Sequence, residues 1–273
     1  MMEPVRLDVE SAVRQKLKGR YVPRFFIRWL RHIVHEDTFN DFFKAHPGLT
    51  GYDFIEEVIG PNLLNVTVDV RGLDRLPQDS SPLVFVSNHP LGGLDGMILA
   101  RMLGEHRHWN VRVIVNDLLM HLTPLQGIFI PVNIYGAQSR EAARYMEQIY
   151  ASDYDILTFP AGACSRKIDG RVQDLPWKKS FVQKAVESGR TVVPVRFEGQ
   201  NSRFFYNLAL WRKRLGIRFN LELLFLADEM FKAAGSHYTV HIGQPLPPST
   251  FDRSRTPLQW AQWVRGQVYN LKD

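Results

Sequence analysis

The stretch VFVSNHPLGGLDGMIL (residues 84–99) changes character three times. An apolar run ends at Asn88-His89-Pro90, two glycines follow at Gly92 and Gly93, and Asp95 stands six residues after the histidine. The run LVFVS (83–87) is apolar at nearly every position, which means burial on both faces, as in a sheet covered by helices. Pro90 cannot donate to a ladder, so the strand stops there. The glycines permit backbone angles closed to other residues, letting the chain turn sharply and approach a ligand. From 94 to 103 the pattern is helical, which puts Asp95 in a first turn, where the helix dipole favours a charged carboxylate.

The same alternation runs outward from this segment. Strands are predicted over 66–70, 83–87, 112–115, 156–159, 191–197, 221–226 and 238–242, and helices over 94–103, 140–151, 177–188, 202–215 and 257–269. Alternating strands and helices, with strands apolar on both faces, predict an α/β fold: a mostly parallel or mixed sheet flanked by helices. In such sheets the chemistry sits where strands end and helices begin, which is where His89 lies.

The first sixty residues read differently. Between residues 14 and 31 (RQKLKGRYVPRFFIRWLR) there are seven basic residues and no acidic one. Pro23 can open a helix carrying Phe25, Phe26, Trp29 and Leu30 at helical spacing, with Arg24, Arg28 and Arg31 on another face. A basic, aromatic amphipathic helix suits a bilayer interface. The alternative is a helix that packs its aromatics on the core and points its arginines at water. Two shorter helices are predicted at 36–45 and 51–59, closing at Gly60-Pro61. The chain thus divides into a helical, membrane-associating region (1–60) and an α/β domain (61–273). A second basic-aromatic patch at 201–218, with Phe204, Phe205, Tyr206, Trp211 and Arg212-Lys213-Arg214, offers anionic lipid headgroups or an acidic carrier protein another surface.

With 273 residues, 45% of them hydrophobic, the chain can bury one large core. Its net charge of +6 implies an anionic partner. No nucleic-acid-binding motif accompanies the charge, so a membrane or an acidic carrier protein is the expected partner and nucleic acid is not. The single cysteine, Cys164, excludes an internal disulfide and points to a reducing compartment. No window approaches eighteen consecutive apolar residues, and MMEPVRLDVE lacks the basic start and apolar core of a secretory signal. The expectation is a soluble or peripherally bound protein in the cytoplasm. His106, His108 and His121 lack metal-ligand spacing with nearby carboxylates, and no metal is expected.

A charged carboxylate beside an imidazole can hold one tautomer and stabilise the imidazolium formed on proton uptake. His89 and Asp95 therefore read as a base with its orienter, and no serine or cysteine nucleophile stands beside them in the stretch. Such a dyad suits activation of a substrate hydroxyl. Cys164 reads as a small buried residue in preference to an acyl-carrying nucleophile. Asp169-Gly170 reads as a turn into a helix opened by Trp177-Lys178-Lys179.

The segment NHPLGGLD (88–95) resembles the first motif of the glycerolipid acyltransferase superfamily, the lysophosphatidic acid acyltransferases and their relatives. Three further blocks follow in that family's order. LQGIFIPVN (125–133) is similar to the second motif, FPAGACSRK (159–167) to the third, usually Phe-Pro-Glu-Gly-Thr-Arg-Ser, and VVPVRF (192–197) to the fourth. The likeness spans about residues 66–246. It implies that His89 deprotonates an acceptor hydroxyl, which attacks an acyl thioester, while Asp95 orients the histidine.

The sequence also departs from the family's pattern. Five residues, not four, separate His89 from Asp95; Asn133 stands where the second motif carries an arginine; Ala161, Ala163 and Cys164 replace Glu, Thr and Arg of the third, with Gly162 and Ser165 retained. In the family those blocks bind the acceptor's phosphate, which wants guanidinium forks. NHPLGGLDG with FPAGACSRK resembles the hemolysin-like subgroup, which includes O-acyltransferases of bacterial aminoacyl lipids such as glycine and ornithine lipids. There the acceptor hydroxyl belongs to an N-acylated amino acid carrying a carboxylate.

These features together predict an O-acyltransferase peripheral to the cytoplasmic face of the inner membrane. The resemblance implies an acyl carrier protein or coenzyme A thioester as acyl donor, and no bound cofactor is expected. His89 and Asp95 are the catalytic candidates. Asn88, Gly92, Gly93, Asn133, Gly162, Ser165, Arg166 and Lys167 are the substrate-binding candidates, with backbone amides of the third motif supplying an oxyanion site. Arg24, Phe25, Phe26, Arg28, Trp29 and Arg31 are the membrane candidates. The competing expectations are a 1-acylglycerol-3-phosphate O-acyltransferase with a phosphorylated acceptor, a hydrolase that uses water in place of the acceptor and, from another class, a non-enzymatic membrane-active protein.

Overall fold

The computed structural model describes residues 6–16, 21–132, 140–217 and 220–272. Four helices come first: α1 (Val9–Lys16), α2 (Arg24–Val34), α3 (Glu36–Ala45) and α4 (Gly51–Ile59). Then follow β1 (Thr67–Arg71), β2 (Leu83–Ser87), α5 (Leu94–His106), β3 (Val111–Asn116), β4 (Phe129–Val132), α6 (Arg140–Tyr150) and β5 (Asp155–Thr158). The chain continues through β6 (Arg166–Ile168), β7 (Arg171–Gln173), α7 (Ser180–Ser188), β8 (Thr191–Glu198), α8 (Arg203–Arg214), α9 (Leu226–Lys232), β9 (His237–Ile242) and α10 (Pro257–Asn270).

Seven strands form one sheet in the order β1-β9-β8-β2-β5-β3-β4. Every neighbouring pair is parallel except β8 and β9. Strand β2 lies in the middle, and all five of its residues are buried. Because side chains alternate along a strand, Leu83 and Phe85 join the core under α4 and α5, with Phe54, Ile55, Ile98 and Leu99. Val84 and Val86 face the other way, into the core with Phe181 and Val182 of α7 and with Trp260 and Val264 of α10. This is the mostly parallel, helix-covered α/β sheet that the doubly apolar strands predicted. At its N-terminal rim Asp155, almost fully buried, accepts from the Leu83 amide (2.7 Å) and from Arg107 Nε (2.7 Å).

Four details differ from the reading of the sequence. Residues 221–226 are not a strand: a 3₁₀ turn (Leu221–Phe225) runs into α9. There Glu222 is fully buried between two guanidiniums, Arg166 (3.1 Å) and Arg212 (2.8 Å), and an irregular turn brings it to both. Residues 129–132 are a strand despite Pro131, which is tolerated because β4 is paired only with β3 at the sheet edge. Asp169-Gly170 turns between β6 and β7, not into a helix, and both residues have positive φ (48° and 79°), as a tight hairpin turn demands. Helix α7 starts at Ser180 and not at Trp177, whose indole is turned toward the Asp174 carboxylate.

Helix α2 buries Ile27, Leu30 and Ile33. Its aromatic residues stay outside: Phe25 is 75% exposed, Trp29 40% and Phe26 36%.

Candidate active site

The loop that leaves β2 is held on every side. Asn88 is buried, and its side chain imitates a strand partner: Nδ2 donates to Phe197 O (2.9 Å) and Oδ1 accepts from Phe197 N (2.8 Å). An amide side chain can do both because it carries a donor and an acceptor together. Pairing to β8 thus continues one residue past the end of β2. His89 comes next, at the C-terminal rim of the parallel strands. Its N–H donates to Asp174 Oδ1 (3.2 Å) and its carbonyl accepts from Ser165 N (2.7 Å).

The ring of His89 is 16% exposed, and Nδ1 lies 3.1 Å from Asp95 Oδ2. Asp95 is fully buried in the first turn of α5; Oδ2 also accepts from Leu91 N (2.9 Å) and Oδ1 from Gly96 N (2.8 Å). A carboxylate acceptor at Nδ1 puts the proton there and leaves Nε2 bare. The five-residue spacer therefore still delivers imidazole and carboxylate to each other. Gly92 absorbs the turn at φ +89°, and a Cβ there would strike Leu226 at 2.8 Å. Gly93 adopts ordinary right-handed angles (φ −95°, ψ −44°), so the freedom expected of it goes unused.

The third block closes over this loop. Gly162, at φ +69°, donates its N–H to Phe159 O (2.9 Å), and the Ser165 N–H goes to His89 O. Neither amide is left to serve as the expected oxyanion donor. Ser165 is buried, with its hydroxyl donating to Asp174 Oδ1 at 2.5 Å. Arg166 is engaged within the protein as well: it donates to Glu222 Oε1 (3.1 Å) and to Cys164 O (3.0 Å) and Sγ (2.8 Å). Lys167, one residue on in β6, is exposed and on the opposite side of the hairpin from Arg166. Asn133 lies outside the described residues. Burial pushes the Cys164 thiol up, with Arg166 opposing. Among the described residues no group of three or more His, Cys, Asp or Glu side chains is arranged to hold a metal ion.

A base with a bare Nε2, oriented by a buried carboxylate at the rim of a parallel sheet, can take a proton from a hydroxyl that enters from solvent. The sequence profile of a family described as acyltransferase matches residues 11–273. The chain belongs to the acyltransferase family. Relatives of this acyltransferase include two proteins named lyso-glycine lipid O-acyltransferase. The one from Phocaeicola vulgatus is 48% identical over 97% of this chain and 95% of its own length. The one from Bacteroides thetaiotaomicron is 44% identical over 97% of each. A solved structure, the 1-acyl-sn-glycerophosphate (LPA) acyltransferase PlsC from Thermotoga maritima, aligns with a TM-score of 0.48 and 15% identity, covering 97% of this chain and 90% of that one.

Several residues around the site of this acyltransferase escape a reading of the sequence. Asp174 carries no local motif. Phe159 reads as a strand end and as the first residue of the third block, and neither reading brings out that its ring stacks on His89. Tyr206, expected with Phe205 on a lipid-facing patch, is instead buried with it, and Tyr206 and Asn201 reach across to the loop, Tyr206 Oη donating to Pro90 O (3.4 Å) and Asn201 Nδ2 to Leu91 O (3.4 Å). Glu222 did leave a signal: a lone carboxylate inside the apolar run LELLF predicts a buried charge with partners.

Proposed function

We propose that this acyltransferase moves a fatty acyl group from an acyl carrier protein or coenzyme A thioester to the hydroxyl of a monoacylated lipid, an N-acyl amino acid of the glycine-lipid kind. The observation that carries the mechanism is the 3.1 Å contact between His89 Nδ1 and the fully buried Asp95. Two relatives that match nearly the whole chain are lyso-glycine lipid O-acyltransferases by name, which supports the acceptor. His89 Nε2 takes the hydroxyl proton as the oxygen attacks the thioester carbonyl. The tetrahedral intermediate expels the thiolate, the C–S bond breaks, and the imidazolium returns its proton to sulfur. Asp95 stabilises that imidazolium while it exists.

Peripheral attachment to the cytoplasmic face of the inner membrane belongs to the same reading. No helix among the described residues is long and apolar enough to cross a membrane. The exposed aromatics of α2 support attachment, and so do those of α8, where Trp211 is 66% exposed and Phe204 49%. Phe225 joins the two patches, its ring lying 5.8 Å from Trp29 and 5.0 Å from Phe204. On this reading residues 1–60 work as a docking region for the α/β domain.

The test is transfer of a radiolabelled acyl group from acyl carrier protein to an N-(hydroxyacyl)glycine. His89→Ala should lower the rate roughly 100- to 10,000-fold with the fold retained. Near-normal turnover by a folded His89→Ala protein overturns the mechanism. Transfer to water alone, with no acceptor needed, overturns the acceptor.

A further inference from the structure

Asp174 is a fully buried carboxylate to which the proposed chemistry assigns nothing. It directly follows β7, and Ser165 directly precedes β6, so the two meet at the stem of the hairpin, joined by the Ser165 hydroxyl. From this stem both peptide groups of His89 are held, the N–H by Asp174 Oδ1 (3.2 Å) and the carbonyl by Ser165 N (2.7 Å). The other carboxylate oxygen accepts from Trp177 Nε1 (2.8 Å). Behind it, the Asp174 N–H donates to Tyr269 Oη (2.7 Å) and its carbonyl accepts from Arg265 Nη2 (2.8 Å), which ties the stem to α10.

Three donors converge on the Asp174 carboxylate: a backbone N–H, a hydroxyl and an indole N–H. An acceptor-only group meets all three, whereas an asparagine must turn its NH₂ toward at least one of them. We propose that Asp174 is a positioning residue for acyl transfer, fixing the peptide of His89 and, through it, the direction of the imidazole toward the acceptor hydroxyl. This rests on His89 being the base. A displacement of about 1 Å in a reacting group can cost on the order of 100-fold in rate, so an anchor on the base's own backbone controls turnover more than binding.

Asp174→Asn keeps the volume and removes the all-acceptor character. Assayed with acyl carrier protein thioester and N-(hydroxyacyl)glycine, it should lose roughly 10- to 100-fold in kcat. KM for both substrates should stay within about 2-fold, because ground-state contacts are untouched. Adding Trp177→Phe removes the N–H that opposes the new amide, so the asparagine oxygen can face His89 again and part of the lost kcat should return. In a His89→Ala background Asp174→Asn should cost nothing further, since residues acting as one unit are not additive. Should Asp174→Asn fail to fold, Ser165→Ala trims the stem more gently and should lower kcat roughly 3- to 10-fold at unchanged KM. Wild-type kcat in the folded variant, a loss that Trp177→Phe does not relieve, or a full additional loss on His89→Ala overturns the proposal. An active His89→Ala enzyme removes the base and this proposal together, whereas an inactive one beside a fully active Asp174→Asn removes this proposal alone.

Discussion

The imidazole of His89 lies flat on the ring of Phe159, with centroids 3.9 Å apart and planes 24° from parallel. The aromatic face limits rotation of the base and stabilises it as a cation once it has taken a proton. Phe159→Leu keeps an apolar neighbour and removes the π-face. It should lower kcat several-fold, on the order of the 0.5–2 kcal/mol that such a contact is worth. Steady-state kinetics check this, and an unchanged kcat would leave Phe159 as packing only.

Membrane docking should divide the three arginines of α2. Arg31 is paired with the buried Glu36 at 2.7 Å, whereas Arg24 and Arg28 are exposed beside Phe25 and Trp29. Arg24→Gln with Arg28→Gln should weaken binding to anionic vesicles by about 1 kcal/mol per charge, with little change on neutral ones. Arg31→Gln should instead lower stability, because it leaves the buried Glu36 without its cation and, among the described residues, with only the Val9 N–H as partner. Vesicle co-sedimentation and thermal melts separate the two effects, and equal loss of vesicle binding from all three would contradict the division.

Acceptor choice should follow the missing guanidinium groups. Cys164 stands where the similar third motif of the family carries an arginine, and the Arg166 fork is engaged with Glu222. Lys178 lies over Gly162, its Nζ 2.9 Å from where a Cβ would stand. One carboxylate suits a single amine better than a phosphate dianion does. In direct competition for one thioester, an N-(hydroxyacyl)glycine should therefore outrun lysophosphatidic acid. Lys178→Gln should raise KM for the aminolipid several-fold while the donor's KM holds. A preference for lysophosphatidic acid would count against this acceptor.

Stability should depend on the rim opposite the site. Asp155→Ala leaves the Leu83 N–H and Arg107 without their shared carboxylate. Breaking such a buried pair costs about 3–5 kcal/mol. Urea unfolding should show the loss, while activity per folded molecule is unchanged at low temperature. A loss below about 1 kcal/mol would mean the pair is solvated in practice.

The Cys164 thiol, raised by burial, should be protonated at neutral pH and slow to react. Because its folded pKa lies above the unfolded one, its contribution to stability is complete below the ordinary thiol range and is lost as pH rises from that range through the raised folded value. Iodoacetamide should label the native protein slowly and the urea-unfolded protein fast. Rapid native labelling that also abolishes transfer would reopen a role for the thiol in the reaction.

Local chemistry wrote the parts of this protein whose partners are close in sequence. LVFVS specifies a strand buried on both faces, and Pro90 with Gly92 specifies the turn after it. His89 and Asp95 are only six residues apart across a strand end and a helix start, so their meeting is encoded within one stretch. Tertiary structure decided whatever depends on distant partners. Asp174 reaches His89 across 85 residues, Phe197 reaches Asn88 across 109, and Glu222 reaches Arg166 across 56. Residues 221–226 could pattern as strand or as buried turn, and the two arginines around Glu222 selected the turn. Likewise the spacing in α2 admits more than one buried face, and its packing against α1, α3 and α9 put Ile27, Leu30 and Ile33 inside and the aromatics out. A sequence window holds the propensity and period of its own residues, but which buried charge finds which donor is set by the order of strands in the sheet, and that order exists only once the whole chain has folded.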